Sequence, residues 1–420
     1  MFPFVGVSEV LACAGAGAST LYLTWRRAAN KRWLKVIPRD ESSDLLRLQS
    51  LHGYNEHTYV LDSEQTQVWM DTDRRGAVCY VERGNVWLVT GEPLAAVEEL
   101  CEIAQEFVTH ARENRKLVVF LPTSARFARA VAGRGFRIHK IAASPYFDLE
   151  KWNPKGNPAK GLRLGINRAR RGGVKVEPVT DITPYFRGEV AELCDKWLGG
   201  RTAGISFGWL FKLAPFQNSC AKRYFAARDT EGKLVGLLAA SPIPAREGWY
   251  LEDVLRRSDS PDGTADLLVF EALRGLAADG AKLATLGTVP LSEIGLDDLT
   301  TKAYLLGQVL NITRKNLKPI YNIEGLRCFK SKFVPSWWEG EYVIVSKGYL
   351  SAPRSGIAIL RVIFGEGIPG VSWLISSANK AIRSLRSPRV GSDTAISKVV
   401  PVSEKENSLN QKSHAIVNVS

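Results

Sequence analysis

Three short stretches hold residues whose types and spacing can do chemistry. "WYLEDVLRR" (249–257) puts Glu252, Asp253 and Arg256 near the end of an apolar run that reads as a strand. Ionisable groups there are costly to bury unpaired. They form either a structural Asp–Arg pair, or a carboxylate that takes a proton or orients an amine while the arginine supplies charge. Strict strand alternation places Asp253 and Arg256 on opposite faces, so cooperation between them calls for a bulge or turn near Leu255. "KGLRLGINRARRGGVKVE" (160–177) crowds Arg163, Arg168, Arg170, Arg171 and Lys175 onto a helix that stops at Gly172-Gly173. That basic face is either solvated or phosphate-binding, and the guanidinium fork suits phosphate.

The third stretch is "YNIEGLRCFKSKFVPSWWEGEYVIV" (321–345). Its periodicity predicts a helix from about Gly325 to Val334, ended by Pro335. Leu326, Phe329 and Phe333 form the stripe to be buried, Arg327 and Lys330 share the opposite side, and Lys332 lies on a flank. By periodicity alone this is an amphipathic helix with a basic outer face. Other chemistries find less support. The six cysteines and five histidines are scattered without zinc-site spacing, so no metal centre is expected and the thiols read as buried and reduced. His52 and His57 lie five apart in a loop and read as surface or core-edge residues. No GxxxxGK[ST] occurs, and the nearest candidate for an acyl-CoA loop, "AVAGRG" (130–135), opens on Ala130 and ends a helix rather than starting one.

The elements that must position these residues recur along the chain. With 420 residues and 45% hydrophobic content the sequence supports two full cores, and its net charge of +13 favours polyanionic partners. Between 36 and 150, "AVCYVERGNVWLVTG" reads as a hairpin, "PLAAVEELCEIAQEFVTHARENR" as an amphipathic helix and "KLVVFLP" as a buried strand. After a linker at 151–160, residues 161–349 repeat the pattern. "KRYFAARDTEGKLVGLLAASPI" is a hairpin, "GWYLEDVLR" a strand, "ADLLVFEALRGLAADG" a helix closed by Gly280, and "KLATLGTVPLS" a strand. The expected fold is mixed α/β, built from two copies of one unit. The apolar segment 1–35 with its "RRAANKRWLK" flank reads either as a membrane span or as a docked terminus; Glu9 and the Gly/Ala content count against a span. Residues 350–420 form a basic, partly apolar tail that becomes Ser-, Asn- and Lys-rich, expected to be disordered at its end.

Five blocks in order, "LGINRARRGG", "DKWLGGRTAGISFGWL", "LEDVLRRSDSPDGTADLLVFEAL", "LGTVPLS" and "YNIEGLRCFKSKFVPSWWEGEYV", resemble the catalytic domain of the bacterial phosphatidylglycerol lysyltransferase (multiple peptide resistance factor) family. "VWLVTGEPLA" and "GRGFRIHKI" extend the resemblance into the first half, so that it covers roughly residues 40–348. It implies two tandem acetyltransferase-like (GNAT) lobes. It also implies transfer of an aminoacyl group, lysyl or similar, from aminoacyl-tRNA to a lipid hydroxyl such as that of phosphatidylglycerol. The tRNA is then a co-substrate and no cofactor is expected. An anionic phospholipid membrane becomes the second partner, with the protein at its cytoplasmic face, peripheral or single-span.

By the same resemblance Asp253, Arg256, Glu271, Lys330 and Lys332 are the expected catalytic residues. Arg163, Asn167, Arg168, Arg171, Tyr321, Asn322 and Arg327 are the expected substrate contacts. Two features depart from the family pattern. Val334 stands where a polar, often acidic residue usually follows KF. In place of the usual large set of preceding transmembrane helices there is at most one weak span, so the expectation is either lipid synthesis without flipping or a move to another acceptor. Two rival readings are a GNAT-like acyltransferase acting on a small amine or peptide, and a non-catalytic tRNA- or membrane-binding module.

Overall fold

The computed structural model describes residues 41–58, 66–199, 213–290, 292, 297–300 and 323–347. After α1 (Glu41–His52) come β1 (Gln67–Met70), β2 (Ala77–Arg83), β3 (Val86–Thr90), α2 (Leu100–Glu113), β4 (Leu117–Ser124), α3 (Ala125–Val131) and β5 (Phe136–Asp148). The second half holds α4 (Lys160–Arg171), β6 (Lys175–Val179), α5 (Pro184–Gly199), β7 (Arg223–Arg228), β8 (Leu234–Ile243) and β9 (Gly248–Arg256). It continues through α6 (Thr264–Ala278), β10 (Leu283–Thr285), β11 (Val289–Pro290), α7 (Ile323–Ser331) and β12 (Trp337–Ser346). The predicted hairpins, the amphipathic α2 and the helix closed by Gly280 are all present. In α2 the three- and four-residue spacing buries Leu100, Ile103, Ala104, Phe107, Val108 and Ala111.

The doubled mixed α/β plan shows in the pairing. β2 and β3 form an antiparallel hairpin, α2 crosses over, and β4 returns parallel to β3. β8 and β9 form the second hairpin, α6 crosses over, and β10 returns parallel to β9. Each half then sends its last strand into the other. β5 pairs antiparallel with β10, and β12 lies between β4 and β5. The sequence boundaries put β12 with the second lobe, whereas its partners include β4 of the first. The exchange joins the described strands into one sheet and leaves no open edge at the seam. One core gathers around Phe107, Phe120 and Phe127, and another around Phe147, Leu238, Leu268 and Phe333.

No helix among the described residues is long and apolar enough to cross a membrane. The segment 1–35 and the tail 350–420, with their expected span and disorder, lie outside the described residues.

Candidate active site

β9 holds the first chemical motif, and its pairing explains how both of its charged ends reach one place. Its register against β8 slips between Ala239↔Asp253 and Ala240↔Leu251, so Glu252 is an extra, bulged residue. From Asp253 to Arg256 the alternation is regular, and the two residues do point to opposite faces. No bulge or turn at Leu255 brings them together. A free edge does so instead: β10 pairs with β9 only through Gly248, Trp249 and Tyr250, and the chain then leaves to pair with β5 as β11. Beyond Tyr250 that side of β9 has no strand partner among the described residues. A cavity of about 530 Å³ opens along the edge, lined by every residue from Tyr250 to Arg256. Trp197 of α5, Thr288, and Leu326, Phe329 and Lys330 of α7 close it from the other sides.

Asp253 is strongly perturbed in this cavity. Its Oδ2 is buried without a hydrogen-bond partner. Burial, reinforced by the adjacent Glu252 and opposed by Lys222, pushes the carboxyl from 3.8 up to about 7. Glu252 is committed elsewhere: its Oε2 lies 2.8 Å from the buried Lys222 ammonium and accepts a hydrogen bond from Ser241 at 2.6 Å. Arg256 is exposed at the cavity mouth and has no carboxylate within ion-pair distance among the described residues; one of its N–H groups donates to the Arg257 carbonyl at 3.1 Å. Its neighbour Arg257 is tied down by Asp259 and Glu192. Of the two tandem arginines, Arg256 alone lines the cavity.

α7 runs from Ile323 to Ser331, and it departs from the periodic reading at one decisive residue. Phe333 is fully buried as expected, but Lys330 is buried too, at 7% exposure, rather than on an outer basic face. Its ammonium donates to the carbonyls of Gly287 at 2.7 Å and Thr288 at 2.9 Å. Gly287 has φ +74°, and a Cβ there would meet the Tyr250 ring at 2.4 Å, so the turn that offers these carbonyls needs a glycine. Burial lowers the Lys330 ammonium from 10.5 to about 8, with Glu56 and Glu341 opposing that shift. Helical periodicity could not show this, because the groups that satisfy the ammonium lie 42 and 43 positions away.

The remaining expected site residues do not converge on the cavity. Lys332 is held by both oxygens of Asp266, each at 2.7 Å, which fastens α7 to the first turn of α6. Glu271 pairs with Arg170 at 2.8 Å and with Arg274 at 3.6 Å, between α4 and α6. α4 buries Leu162, Gly165, Ile166 and Ala169 and leaves Arg163, Asn167, Arg168 and Arg171 on its exposed face. There Arg163 donates to the Gly156 carbonyl at 2.8 Å and Arg171 to the Asn167 carbonyl at 3.3 Å. Gly165 permits this packing, because a Cβ there would meet the Asp266 carboxylate at 2.0 Å. Arg327 stacks over the Trp338 ring at 4.6 Å, and Trp337 stacks on Tyr146 at 5.7 Å. Tyr321 and Asn322 lie outside the described residues. Sequence reasoning missed Lys222 and Thr288; their partners, Glu252 on β9 and Lys330 on α7, are distant in the chain and leave no local signal.

Comparison with known proteins gives this geometry a family. Residues 47–345 match the model of the phosphatidylglycerol lysyltransferase C-terminal family. The chain is 25% identical over 323 residues to the phosphatidylglycerol lysyltransferase of Bacillus subtilis strain 168; the match covers 74% of this chain and 36% of that protein. The chain therefore spans about a third of that curated relative's length. Among solved structures, L-PGS from Bacillus licheniformis superposes with a TM-score of 0.62 at 20% identity, over 79% of this chain and 98% of that one. A C-terminal domain (DUF2156) from Agrobacterium fabrum gives the same score and identity, over 79% of this chain and 99% of that one. With the family model matching from α1 to β12, the chain belongs to the phosphatidylglycerol lysyltransferase C-terminal family.

Proposed function

We propose that the cavity beside β9 transfers an aminoacyl group, lysyl or similar, from aminoacyl-tRNA to a hydroxyl of phosphatidylglycerol. The observation that carries this reading is the convergence on one cavity of an Asp253 carboxyl with a buried, unbonded Oδ2, an Arg256 that has no carboxylate partner among the described residues, and a buried Lys330. Its volume suits an aminoacyl ester and a glycerol headgroup. The Bacillus subtilis relative, named a phosphatidylglycerol lysyltransferase, supports the acceptor and the aminoacyl group.

The reaction is an ester exchange. The lipid hydroxyl oxygen attacks the ester carbonyl of the aminoacyl-tRNA while its proton passes to the Asp253 carboxylate. At about 7, that group is well placed to take and return a proton near neutral pH. The negative charge that builds on the carbonyl oxygen is met by Lys330 or Arg256, each worth ~3 kcal/mol when well aligned. Collapse of the tetrahedral intermediate breaks the bond to the ribose oxygen, which leaves with the proton from Asp253. Covalent bonds and protons balance without an enzyme-bound intermediate. Glu271 and Lys332 serve the fold rather than the chemistry, since their ion pairs join α4, α6 and α7 to one another. The exposed arginines of α4 and the net charge of +13 suit the tRNA backbone and an anionic, cytoplasmic membrane face, with peripheral or single-span attachment.

The test is an in vitro transfer with radiolabelled lysyl-tRNA and phosphatidylglycerol vesicles. Lipid-soluble label that disappears when the tRNA is digested with RNase beforehand is the expected result. Lipid labelling that survives RNase, or that proceeds equally from an acyl-CoA donor, would overturn the proposal.

A further inference from the structure

Behind Lys330, at the seam where the two halves exchange strands, lies a second polar cluster that the transfer reaction does not use. Glu56 and His57 come from the turn after α1, and Glu341 comes from β12. All three are buried, at 3%, 3% and 7% exposure. The two carboxylates are drawn together by hydroxyls: Ser144 bonds to both, and Thr288 Oγ1 lies 2.9 Å from Glu56 Oε1 and 2.9 Å from Glu341 Oε2. No lysine or arginine lies within ion-pair distance of either glutamate among the described residues. Lys330 is held on its two carbonyls, and Arg246 on the other wall is paired with Glu339 at 3.0 Å.

Two anionic groups in contact inside a protein need a proton or a cation between them. A shared proton would reconcile the carboxylates with each other. It would still leave Glu56 Oε2 and both His57 ring nitrogens, all fully buried, without hydrogen-bond partners, the nearer imidazole nitrogen lying 3.7 Å from Glu56 Oε1. Glu56, His57 and Glu341 are among the residues that line a void of about 10 Å³, room for one water or one ion. One donor atom from each of Glu56, His57 and Glu341 lies within 4.8 Å of the others, a spread that a single metal ion can span. The Ser144 and Thr288 hydroxyls would orient the carboxylates, as outer partners do in metal sites.

We infer that Glu56, His57 and Glu341 form a binding site for one divalent transition-metal ion that ties the exchanged strand β12 to the turn after α1. One imidazole and two carboxylates suit Mn²⁺, Fe²⁺ or Zn²⁺, and the imidazole argues against Mg²⁺ or Ca²⁺. Scattered histidines gave no sign of this in the sequence, because the third ligand stands 284 positions beyond the second.

The test uses the purified full chain, stripped with EDTA and reloaded with Mn²⁺, with metal content measured after gel filtration and the thermal midpoint recorded with and without the ion. One equivalent of Mn²⁺ and an upward shift of several degrees are expected. Both should be lost in His57→Ala and in the conservative Glu341→Gln. Less than a tenth of an equivalent, with an unchanged midpoint in the wild-type protein, would overturn the inference. So would full Mn²⁺ retention by both variants. Neither readout depends on aminoacyl transfer, so the site stands or falls separately from the proposed reaction.

Discussion

Replacing Asp253 by asparagine removes a charge from a place where burial opposes it, and the structure sets both the sign and the size of the effect. The folded-state value of about 7 lies above the ordinary 3.8, so the fold favours the protonated acid. The wild-type protein therefore loses nothing below 3.8, loses stability steadily as pH rises toward 7, and has lost the full amount above 7. A rise of about three units corresponds to an upper bound of ~4 kcal/mol at pH 8 and about 2 kcal/mol at pH 5. Partial solvent contact along the cavity and local relaxation should roughly halve this. The neutral amide escapes the penalty. Urea denaturation at pH 5 and pH 8 should show the asparagine variant gaining about 1 kcal/mol on the wild type between the two pH values. The same variant should lose transfer activity, a stability–function trade that a purely structural Asp–Arg pair would not produce. A stability difference independent of pH, or a wild type more stable than the variant at pH 8, would mean that burial does not hold the Asp253 carboxyl in its protonated form.

Four further outcomes follow from the same geometry. The pH profile of kcat/KM should rise through about 7 as Asp253 loses its proton and fall above about 8 as Lys330 loses its own; a flat profile from 6 to 9 would contradict both roles. Lys330→Met should lower kcat/KM by about 100-fold in a protein that still folds, as judged by circular dichroism. Lys332→Ala should instead cost about 2 kcal/mol of stability, because it strands the buried Asp266 carboxylate, and leave the kcat/KM of the folded protein within about twofold of wild type. Val334 has φ +53°, a left-handed conformation that a β-branched side chain resists, so Val334→Asn should raise stability by about 1 kcal/mol in thermal unfolding.

Local pattern made much of the fold legible. The β2–β3 hairpin, the apolar spacing of α2 and the β8–β9 hairpin are all set by neighbours within a few residues, and the repeat of hairpin, helix and strand followed from them. The exchange of β5 and β12 was not legible, since strand partners separated by some 200 residues leave no mark on local periodicity. In the site, the quoted motif around Asp253 and Arg256 identified the right strand, but the open edge that unites its two faces depends on where β10 stops. Lys330 shows the limit most clearly. Its helical phase put it outside, and distant backbone carbonyls together with Glu56 and Glu341 make its burial tolerable. The departure at Val334 was visible as an unusual residue type, and the backbone conformation there explains why polar residues suit the position.

Aminoacyl transfer to phosphatidylglycerol at Asp253 can be read out by lipid mass spectrometry of cells expressing either the wild-type chain or Asp253→Asn. Aminoacylated phosphatidylglycerol should accumulate with the wild-type protein and be missing with the variant. An unchanged lipid profile in cells that hold folded wild-type protein and a full set of charged tRNAs would contradict it.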